Sequence, residues 1–420
     1  MKGKLSRARR TALERSLGER AFRPLVPRDQ PYIGAEAEFI PVECTTGAVC
    51  PIEGDAPVTS MKLLRAAATR AGWREGLSAK GTPSFDLGDG GTLGFEPGGQ
   101  LEYSSPACAT GSALLERMRQ VVNLLRQACD PHGVELLAAG IDPVNPLEGA
   151  PMLLHAPRYR RMAAYFDSIG PFGARMMRQT ASLQVSLDVA IEPWRLWRVL
   201  NRMTPYITAI FANSPRYAGS HTGHASYRAH CWRELDPSRT GARQAAGDAV
   251  ADYCDFALAA PAMFLPGIGG VYAPMESHLA AGTAGAAEWE DHLTTLFPEV
   301  RPRGTFEVRS CDAVAPEWFA APLALLGGIA YDRAALRQAD ELLDDDEPEL
   351  LALAGQAGLS HPAIAAIARD LAVLALDGCE SIGASLLTAP DLDIAREFFE
   401  RYTFAGRSPA DDLHPVPSLS

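Results

Sequence analysis

Four segments of the chain alternate between apolar and polar residues with the period of two that is typical of β-strands. They run from Tyr32 to Pro41, roughly from Leu93 to Tyr103, from Gln179 to Val189, and from Gly304 to Ser310. In each segment one face is apolar and suits a core, whereas the other face carries carboxylates, amides or an arginine. The alternation therefore predicts a largely antiparallel sheet with one polar face.

Long segments with helical spacing of apolar residues separate these strands and follow them. The segment from Leu350 to Leu376 is rich in Ala and Leu, and the break Gly358-Leu-Ser-His-Pro362 divides it into two helices that are expected to pack together. Strands and helices together predict an α+β fold, in which a curved antiparallel sheet lines a cavity and the helices pack on its outer face.

Changes in pattern divide the chain into four regions. Residues 1–30 are expected to form a basic leading helix or arm, and residues 31–332 hold the strands and form the candidate catalytic domain. Residues 333–405 are helical and are expected to pack on the same domain. Residues 406–420 are rich in Ser, Pro and Asp and are expected to be disordered.

The composition of the 420 residues narrows the class of protein. Hydrophobic residues make up 47% and charged residues 21%, as in ordinary folded proteins, and the net charge of −12 argues against nucleic-acid binding. The longest apolar stretch, around Ala320 to Ala330, has about half of the roughly 20 residues that cross a bilayer, so no membrane span is expected. Eight scattered cysteines without a Cys-x-x-Cys pair indicate reduced thiols and a cytoplasmic protein.

Acidic and amide side chains recur on the polar faces of the four predicted strands. Glu36 and Glu38 lie two residues apart, so their Cβ atoms are about 7 Å apart, and two charges at that distance repel by about 2 kcal/mol at an effective dielectric constant of about 20. Glu102, Gln184 and Glu307 occupy the same kind of position. Taken by themselves, Glu36 and Glu38 could be solvated side chains on the open face of an edge strand. The recurrence favours a shared site for Mg²⁺ or Mn²⁺, which prefer such oxygen ligands.

The source of positive charge is arginine rather than lysine. The chain has only four lysines and no Gly-Lys-Ser/Thr motif, which excludes a P-loop nucleotide-binding protein. Arg309 shares a strand face with Glu307. It is interpreted either as a structural ion-pair partner or, beside metal-held phosphates, as a clamp for the charge of a transferred phosphoryl group.

Six short motifs occur in an order that is similar to that of a known enzyme family. The motifs are Gly34-Ala-Glu-Ala-Glu38, Glu96-Pro-Gly-Gly-Gln-Leu-Glu102, Thr180-Ala-Ser-Leu-Gln-Val-Ser-Leu-Asp188, Asn213-Ser-Pro215, Trp232 through Arg239-Thr-Gly241, and Phe306-Glu-Val-Arg309. Over roughly Pro31 to Asp332 they resemble the glutamate–cysteine ligases, both the plant-type enzymes and the actinobacterial branch that serves ergothioneine synthesis. The resemblance implies a glutamine-synthetase-like ligase fold and an ATP-dependent formation of γ-glutamylcysteine, through a γ-glutamyl phosphate, for glutathione or ergothioneine synthesis.

The resemblance also implies roles for individual residues. The Mg²⁺ ligands would be Glu36, Glu38, Glu102, Gln184 and Glu307. Glu307 and Arg309 would be catalytic, and Arg301 and Arg303 would bind the phosphates of ATP. The amino-acid substrates would be bound by Arg158, Thr180, Arg228 and Trp232. Arg160 and Arg161 are alternatives to Arg158, and Trp232 could instead be a core residue.

The sequence departs from the family at the end of its second predicted strand, where Glu102 is followed by Tyr-Ser-Ser-Pro. The metal set is intact, so the identity of the amine acceptor is the open part of the inference. A homologous ligase with another acceptor and a non-catalytic amino-acid-binding protein remain alternatives. A metal-dependent amidohydrolase fits less well because histidines are few. The expected partners are amino acids and ATP, without nucleic acid or membrane, and the chain is expected to be a monomer or homodimer.

Overall fold

An antiparallel sheet of nine strands forms the centre of the computed structural model, which describes residues 5–23, 30–79, 81–189, 192–241, 247–265, 272–343 and 349–412. The strands of the described residues are β1 (Ile33–Glu43), β2 (Arg74–Leu77), β3 (Pro83–Asp86), β4 (Thr92–Phe95), β5 (Leu101–Ser104), β6 (Val134–Leu137), β7 (Ser182–Asp188), β8 (Arg216–Tyr217), β9 (Ser220–His221), β10 (Val300–Pro302) and β11 (Thr305–Asp312). The order in the sheet is β10-β11-β7-β1-β5-β4-β3-β2, and β6 pairs with the second half of β1. Strands β8 and β9 form a separate hairpin.

Three of the four predicted strand segments are confirmed as single strands, namely β1, β7 and β11. The second segment is instead a hairpin, in which β4 and β5 flank the turn at Pro97–Gly99. Gly99 has a φ of 92°, a left-handed conformation that lets the chain reverse there. Strands β2, β3, β6 and β10 were not predicted, since three or four residues are too few to show an alternation.

Helices pack on both sides of the sheet. They are α1 (Arg7–Arg20), α2 (Ser60–Ala71), α3 (Gly111–Cys129), α4 (Pro157–Asp167), α5 (Phe172–Gln179), α6 (Pro193–Ile210), α7 (Tyr227–Leu235), α8 (Pro237–Thr240), α9 (Ala249–Ala259), α10 (Met275–Ala281), α11 (Ala286–Leu293), α12 (Ala320–Tyr331), α13 (Arg333–Leu342), α14 (Leu350–Ala357), α15 (Pro362–Ile382) and α16 (Ala389–Phe398). Helix α3 packs against β1, helix α6 against β11 and helix α12 against β7. The predicted α+β fold with a largely antiparallel sheet is thus confirmed.

The most apolar part of the chain is a core helix. Every residue of α12 from Ala320 to Ala330 is buried, which explains why this stretch is apolar on all sides. Helices α15 and α12 approach each other closely at Gly328, where a Cβ atom would lie only 2.2 Å from the carbonyl oxygen of Ala375. The two predicted helices are confirmed as α14 and α15, but they do not pack mainly on each other: α14 packs on α6 and α7, and α15 packs on α12, within one hydrophobic core.

The C-terminal segment is more ordered than its composition predicts. Within residues 406–412, which were expected to be disordered, Asp412 accepts a hydrogen bond of 2.6 Å from the hydroxyl of Tyr402 and pairs with Arg407 at 3.0 Å. Ala410 also donates its backbone N–H to the carbonyl of Ala212. The remaining predicted tail, residues 413–420, lies outside the described residues.

All eight cysteines fall in the described ranges and are free thiols. Seven are buried, and Cys44 is exposed. As for membrane insertion, no single helix of the described chain has both the length and the apolar composition to span a bilayer, and two bent helix pairs meet these criteria only jointly.

The turn before β5 is the site of a first prediction. A Cβ atom on Gly98 would lie 2.0 Å from the carbonyl oxygen of Arg178, which is far inside van der Waals contact. Gly98→Ala is therefore expected to lower the free energy of unfolding by about 3 kcal/mol, measured by urea denaturation. Gly94→Ala in β4 is the control, since its nearest neighbour would be 3.9 Å away. Equal losses in the two variants would contradict the close approach.

Candidate active site

A cavity of about 300 Å³ lies between the polar face of the sheet and helices α4, α5 and α7. From the sheet and the turn between β10 and β11 it is lined by Glu36, Glu38, Glu102, Ser104, Ser182, Gln184, Arg301, Arg303 and Arg309. From the helices and loops it is lined by Glu96, Pro97, Gln100, Arg158, Tyr159, Met162, Met176, Met177, Thr180, Arg228, Trp232, Thr294 and Phe297. The lining thus includes every predicted site residue except Glu307, which pairs with three of the lining arginines.

Strand register brings the acidic and amide side chains together. In the antiparallel pairing, Glu36 of β1 lies opposite Gln184 of β7, and Glu38 lies opposite Glu102 of β5. Side chains at such opposed positions have Cβ atoms about 5 Å apart. Four of the five residues expected to bind metal therefore form one group on three adjacent strands.

The carboxylates of β1 are under electrostatic stress. Burial, followed by repulsion from Glu102 and Glu307, raises the pKa of Glu36 to about 8. Burial and Glu102 likewise raise the pKa of Glu38 to about 7, against the opposing charge of Arg228. Glu36 makes no hydrogen bond or ion pair with any of the described residues. Added positive charge at this position would therefore be stabilising.

Glu307 has the opposite environment. Its carboxylate accepts hydrogen bonds from Arg301 at 2.7 and 3.0 Å and from Arg303 at 3.0 Å, and it also pairs with Arg309. Burial alone would raise the pKa of Glu307, but these three guanidinium groups outweigh it and hold the pKa well below its ordinary value. Glu307 thus fixes three arginines at one end of the cavity.

A chain of hydrogen bonds joins the arginine end to the acidic end. Arg309 donates to the Oε1 atom of Gln184 at 2.6 Å, and Nε2 of Gln184 donates to Glu38 at 3.3 Å. The other oxygen of Glu38 accepts from the backbone N–H of Ser182 at 2.7 Å and from its hydroxyl at 3.0 Å. Gln184 therefore presents its oxygen to the positive charge and its nitrogen to the negative charge.

On the helix side of the cavity, Arg228 and Arg158 face the sheet. Arg228 of α7 is 3% exposed and donates to the carbonyl of Arg309 at 2.9 Å. The guanidinium carbons of Arg228 and Arg309 lie 5.2 and 5.3 Å from the ring centre of Trp232, a cation–π distance. Nε1 of Trp232 is fixed by a 2.8 Å bond to the carbonyl of Phe297. Trp232 is therefore buried and also part of the cavity wall.

Arg158, at the start of α4, donates to the carbonyl of Thr294 at 3.1 Å and lies over the ring of Phe264 at 5.0 Å. Its alternatives Arg160 and Arg161 are exposed and do not line this cavity. Thr180 is buried and donates its hydroxyl to the carbonyl of Met176 at 2.7 Å.

The Glu96–Glu102 motif has a structural role that explains its glycines and its glutamine. Gln100 is 2% exposed; its Oε1 accepts from the N–H of Gly98 at 3.0 Å, and its Nε2 donates to the carbonyl of Thr180 at 2.9 Å. This amide ties the β4–β5 turn to the segment that leads into β7. The motif thereby places Glu102 against the residues of the neighbouring strands.

Several lining residues were not predicted as site residues. Glu96 and Ser182 stand within the recognised motifs, so their position in the motif could have identified them. Met162, Met176 and Met177 are apolar residues on helices, and from sequence they are indistinguishable from core residues. The structure adds them as a flexible apolar wall opposite the charged sheet.

The donor set fits a divalent cation in chemistry and charge. The group offers the carboxylate oxygens of Glu36, Glu38 and Glu102, while the amide oxygen of Gln184 is bonded to Arg309; burial raises the pKa of Glu36 and Glu38, so positive charge beside them would be favourable. Among the described side chains, no three His, Cys, Asp or Glu residues are placed to hold a metal ion by themselves. Mg²⁺ at phosphate-transfer sites is commonly held by one or two carboxylates together with substrate phosphates, so the two findings are compatible.

The fold is shared with a solved ligase, and the sequence identifies the family. Glutamate–cysteine ligase from Francisella tularensis, solved in complex with AMP, superposes with a TM-score of 0.53 at 11% identity over 93% of this chain and 84% of that one. The chain therefore has the fold of a glutamate–cysteine ligase. The sequence model of Glutamate-cysteine ligase family 2 (GCS2) matches residues 32–377, and the chain belongs to that family. The predicted family and fold are confirmed.

Curated relatives are chloroplastic glutamate–cysteine ligases of plants. That of Nicotiana tabacum is 28% identical over 350 residues, which cover 77% of this chain and 66% of that protein. The enzyme of Medicago truncatula is 30% identical, and the match covers 70% of this chain and 62% of that protein. The enzyme of Arabidopsis thaliana is 29% identical, and the match covers 87% of this chain and 74% of that protein. The chain thus spans slightly less than two thirds of the length of the first two relatives. Their names point to a plastid, so the predicted cytoplasmic location is wrong; reduced thiols do not distinguish the two compartments.

Proposed function

We propose that the chain is an ATP-dependent ligase that joins the γ-carboxylate of glutamate to the amine of cysteine. The observation that carries the proposal is the division of one cavity into an acidic end, formed by β1, β5 and β7, and an arginine end around Glu307. Membership of a glutamate–cysteine ligase family supports both the activity and the use of ATP. The reaction itself explains why both charges are needed.

The substrates are anions that must approach each other. An oxygen of the glutamate γ-carboxylate attacks the γ-phosphorus of ATP, the bond to the bridging oxygen breaks, and ADP leaves with the electron pair. The cysteine amine then attacks the acyl carbon of the γ-glutamyl phosphate and expels phosphate, losing a proton. Such phosphoryl transfer depends chiefly on alignment and on compensation of negative charge.

The arginines are proposed to divide this work by position. Arg301 and Arg303, on and beside β10, bind the nucleotide phosphates. Arg309, which already donates to Gln184, stabilises the charge of the transferred group. On the helix side, Arg158 and Arg228 bind amino-acid carboxylates, for which the guanidinium fork is suited. Thr180 and Trp232 close the wall around these substrates.

Mg²⁺ is proposed to bind at the acidic end, held by Glu36, Glu38, Glu102 and Gln184. Glu307 would join this set only by exchanging a bond to Arg301, Arg303 or Arg309 for the ion. When bound, the ion would shield the phosphate oxygens from the attacking carboxylate. The raised pKa values of Glu36 and Glu38 support this assignment. We further propose that residues 31–332 carry the catalytic site and that residues 333–405 form part of the same domain.

An ADP-release assay over a panel of amino-acid pairs, with Mg²⁺ and with mass spectrometry of the product, tests the proposal. Glutamate with cysteine is expected to give the highest rate and to yield γ-glutamylcysteine. Because the methionine wall can adapt to different side chains, the panel includes amines without a thiol. A product with another amine would favour the alternative acceptor, and glutamate binding without ADP release would indicate a non-catalytic protein.

A further inference from the structure

Behind the cavity wall, the last residue of β11 carries an enclosed carboxylate. Asp312 is 1% exposed and does not line the cavity. Its Oδ2 atom accepts from the backbone N–H of Asn213 at 2.8 Å and from the hydroxyl of Ser214 at 2.7 Å. Its Oδ1 atom accepts from the hydroxyl of Ser226 at 2.9 Å. Three donors on one buried carboxylate leave its position little freedom.

Both hydroxyl groups continue to the first turn of α7. The oxygen of Ser226, the residue before this helix, accepts from the N–H of Ala229 at 3.0 Å. The oxygen of Ser214 accepts from the N–H of Arg228 at 3.1 Å. These N–H groups have no partner within the helix. Asp312 therefore stabilises the first turn of α7 indirectly, through its hydrogen bonds with Ser214 and Ser226. A negative charge at a helix N-terminus is also favourable electrostatically.

The same carboxylate faces the guanidinium group that the helix presents to the cavity. Nη1 of Arg228 lies 3.7 Å from Oδ1 of Asp312, while Nη2 of Arg228 is bonded to the carbonyl of Arg309. The backbone at Gly140 packs directly on Asp312, since a Cβ atom there would lie 2.4 Å from the carboxylate carbon. Asp312 thus holds both the backbone at the start of α7 and the charged side chain of Arg228 in position.

We propose that Asp312 is a positioning residue, which acts through Ser214, Ser226 and Arg228 to hold the substrate-facing turn of α7 in place. The inference rests on the proposed function, because Arg228 is taken to bind an amino-acid carboxylate. It gives the Asn213-Ser-Pro215 motif a role, since its first two residues donate to Asp312. Asp312 touches no reacting atom and is not a catalytic residue.

The test is Asp312→Asn in the full chain, which keeps the shape and removes the charge. The KM for glutamate is expected to rise about 10-fold or more, with the glutamate dissociation constant from calorimetry rising in parallel, while the KM for ATP changes less than about twofold. In the double variant with Arg228→Lys, the fold-loss of glutamate affinity is expected to be smaller than the product of the two single fold-losses, because both changes affect one interaction.

Asp391→Asn is the matched control. Asp391 is also buried, at 7% exposure, and it accepts from Thr388 at 2.8 Å, from Arg119 at 2.7 Å and from Ser112, but it lies in the helical layer away from the cavity. It is expected to lower Tm without changing either KM. If both aspartate variants lower Tm and leave the glutamate constants unchanged, Asp312 is only structural and the proposal fails.

Should Asp312→Asn not fold, Ser214→Ala removes one of its links and is expected to shift the glutamate constants in the same direction by a smaller factor. An unchanged dissociation constant in that variant would overturn the proposal. Binding also separates the two inferences. Wild-type chain that binds glutamate but forms no product contradicts the ligase activity and leaves the positioning role measurable, whereas failure to bind glutamate overturns both.

Discussion

Glu36→Gln is expected to reduce ADP release at least about 1000-fold while making the protein more resistant to unfolding. The activity falls because a charged oxygen ligand at the acidic end is lost. The stability rises because the wild-type carboxylate, half-buried in the cavity wall, is desolvated beside Glu102 and Glu307 and gains nothing from a hydrogen bond to a described residue. A gain in stability on loss of function is typical of a site that is strained for its task.

The stability effect has a defined pH dependence. In the unfolded chain a glutamate has its ordinary pKa of about 4.5, whereas burial raises the pKa of Glu36 to about 8 in the folded protein. Wild type therefore loses stability relative to Glu36→Gln as the pH rises from about 4.5 to about 8, and below this range the two converge. Thermal unfolding in metal-free buffer at pH 4 and pH 8 measures this difference. An unchanged turnover, or a variant less stable at pH 8, would count against the assignment.

Glu307→Gln is expected to lose activity and stability together. The change leaves Arg301, Arg303 and Arg309 without their common counter-charge, and breaking a buried ion pair in this way costs about 3–5 kcal/mol. Turnover is expected to fall at least about 100-fold, because the arginines that face the phosphates are no longer fixed. Urea denaturation and the ADP-release assay measure the two effects.

Glu75→Gln is a suitable comparison for Glu307→Gln. Glu75 also pairs with an arginine, Arg65 at 2.7 and 2.9 Å, but both side chains are exposed. Exposed ion pairs contribute little, so neither stability nor turnover is expected to change measurably. The pair of variants thus separates loss of any carboxylate from loss of this one. If Glu307→Gln were as stable as Glu75→Gln, the three arginines would not depend on Glu307.

The sequence could not predict that replacing Glu36 would raise the stability of the fold whereas replacing Glu307 would lower it. Alternation on the strands placed both residues on polar faces and so identified the acidic group. What alternation does not give is the pairing of strands. The short strand β10 sets Arg301 directly opposite Glu307, and three residues in sequence carry no signal for that register.

Asp312 shows a second limit of pattern reasoning. Simple alternation from Glu307 and Arg309 would place Asp312 on the apolar face. The register of β11 against β7 shifts between Val308 and Cys311, so that Cys311 lies opposite Leu183 in the core and Asp312 lies opposite Ser182. A β-bulge of this kind reverses the faces of all residues after it. Its position depends on contacts between distant segments, which local sequence does not reveal.

The burial of seven of the eight cysteines acquires meaning from the chemistry proposed for the cavity. A protein that handles a free thiol, or meets its oxidised dimer, risks exchange with its own sulfur atoms. Such exchange requires an accessible thiolate, and burial raises the pKa of Cys129, Cys231 and Cys379 to about 12, which keeps them protonated. Packing the thiols inside the fold leaves Cys44 as the position open to mixed-disulfide formation, and so insulates the core from the redox state of the substrate.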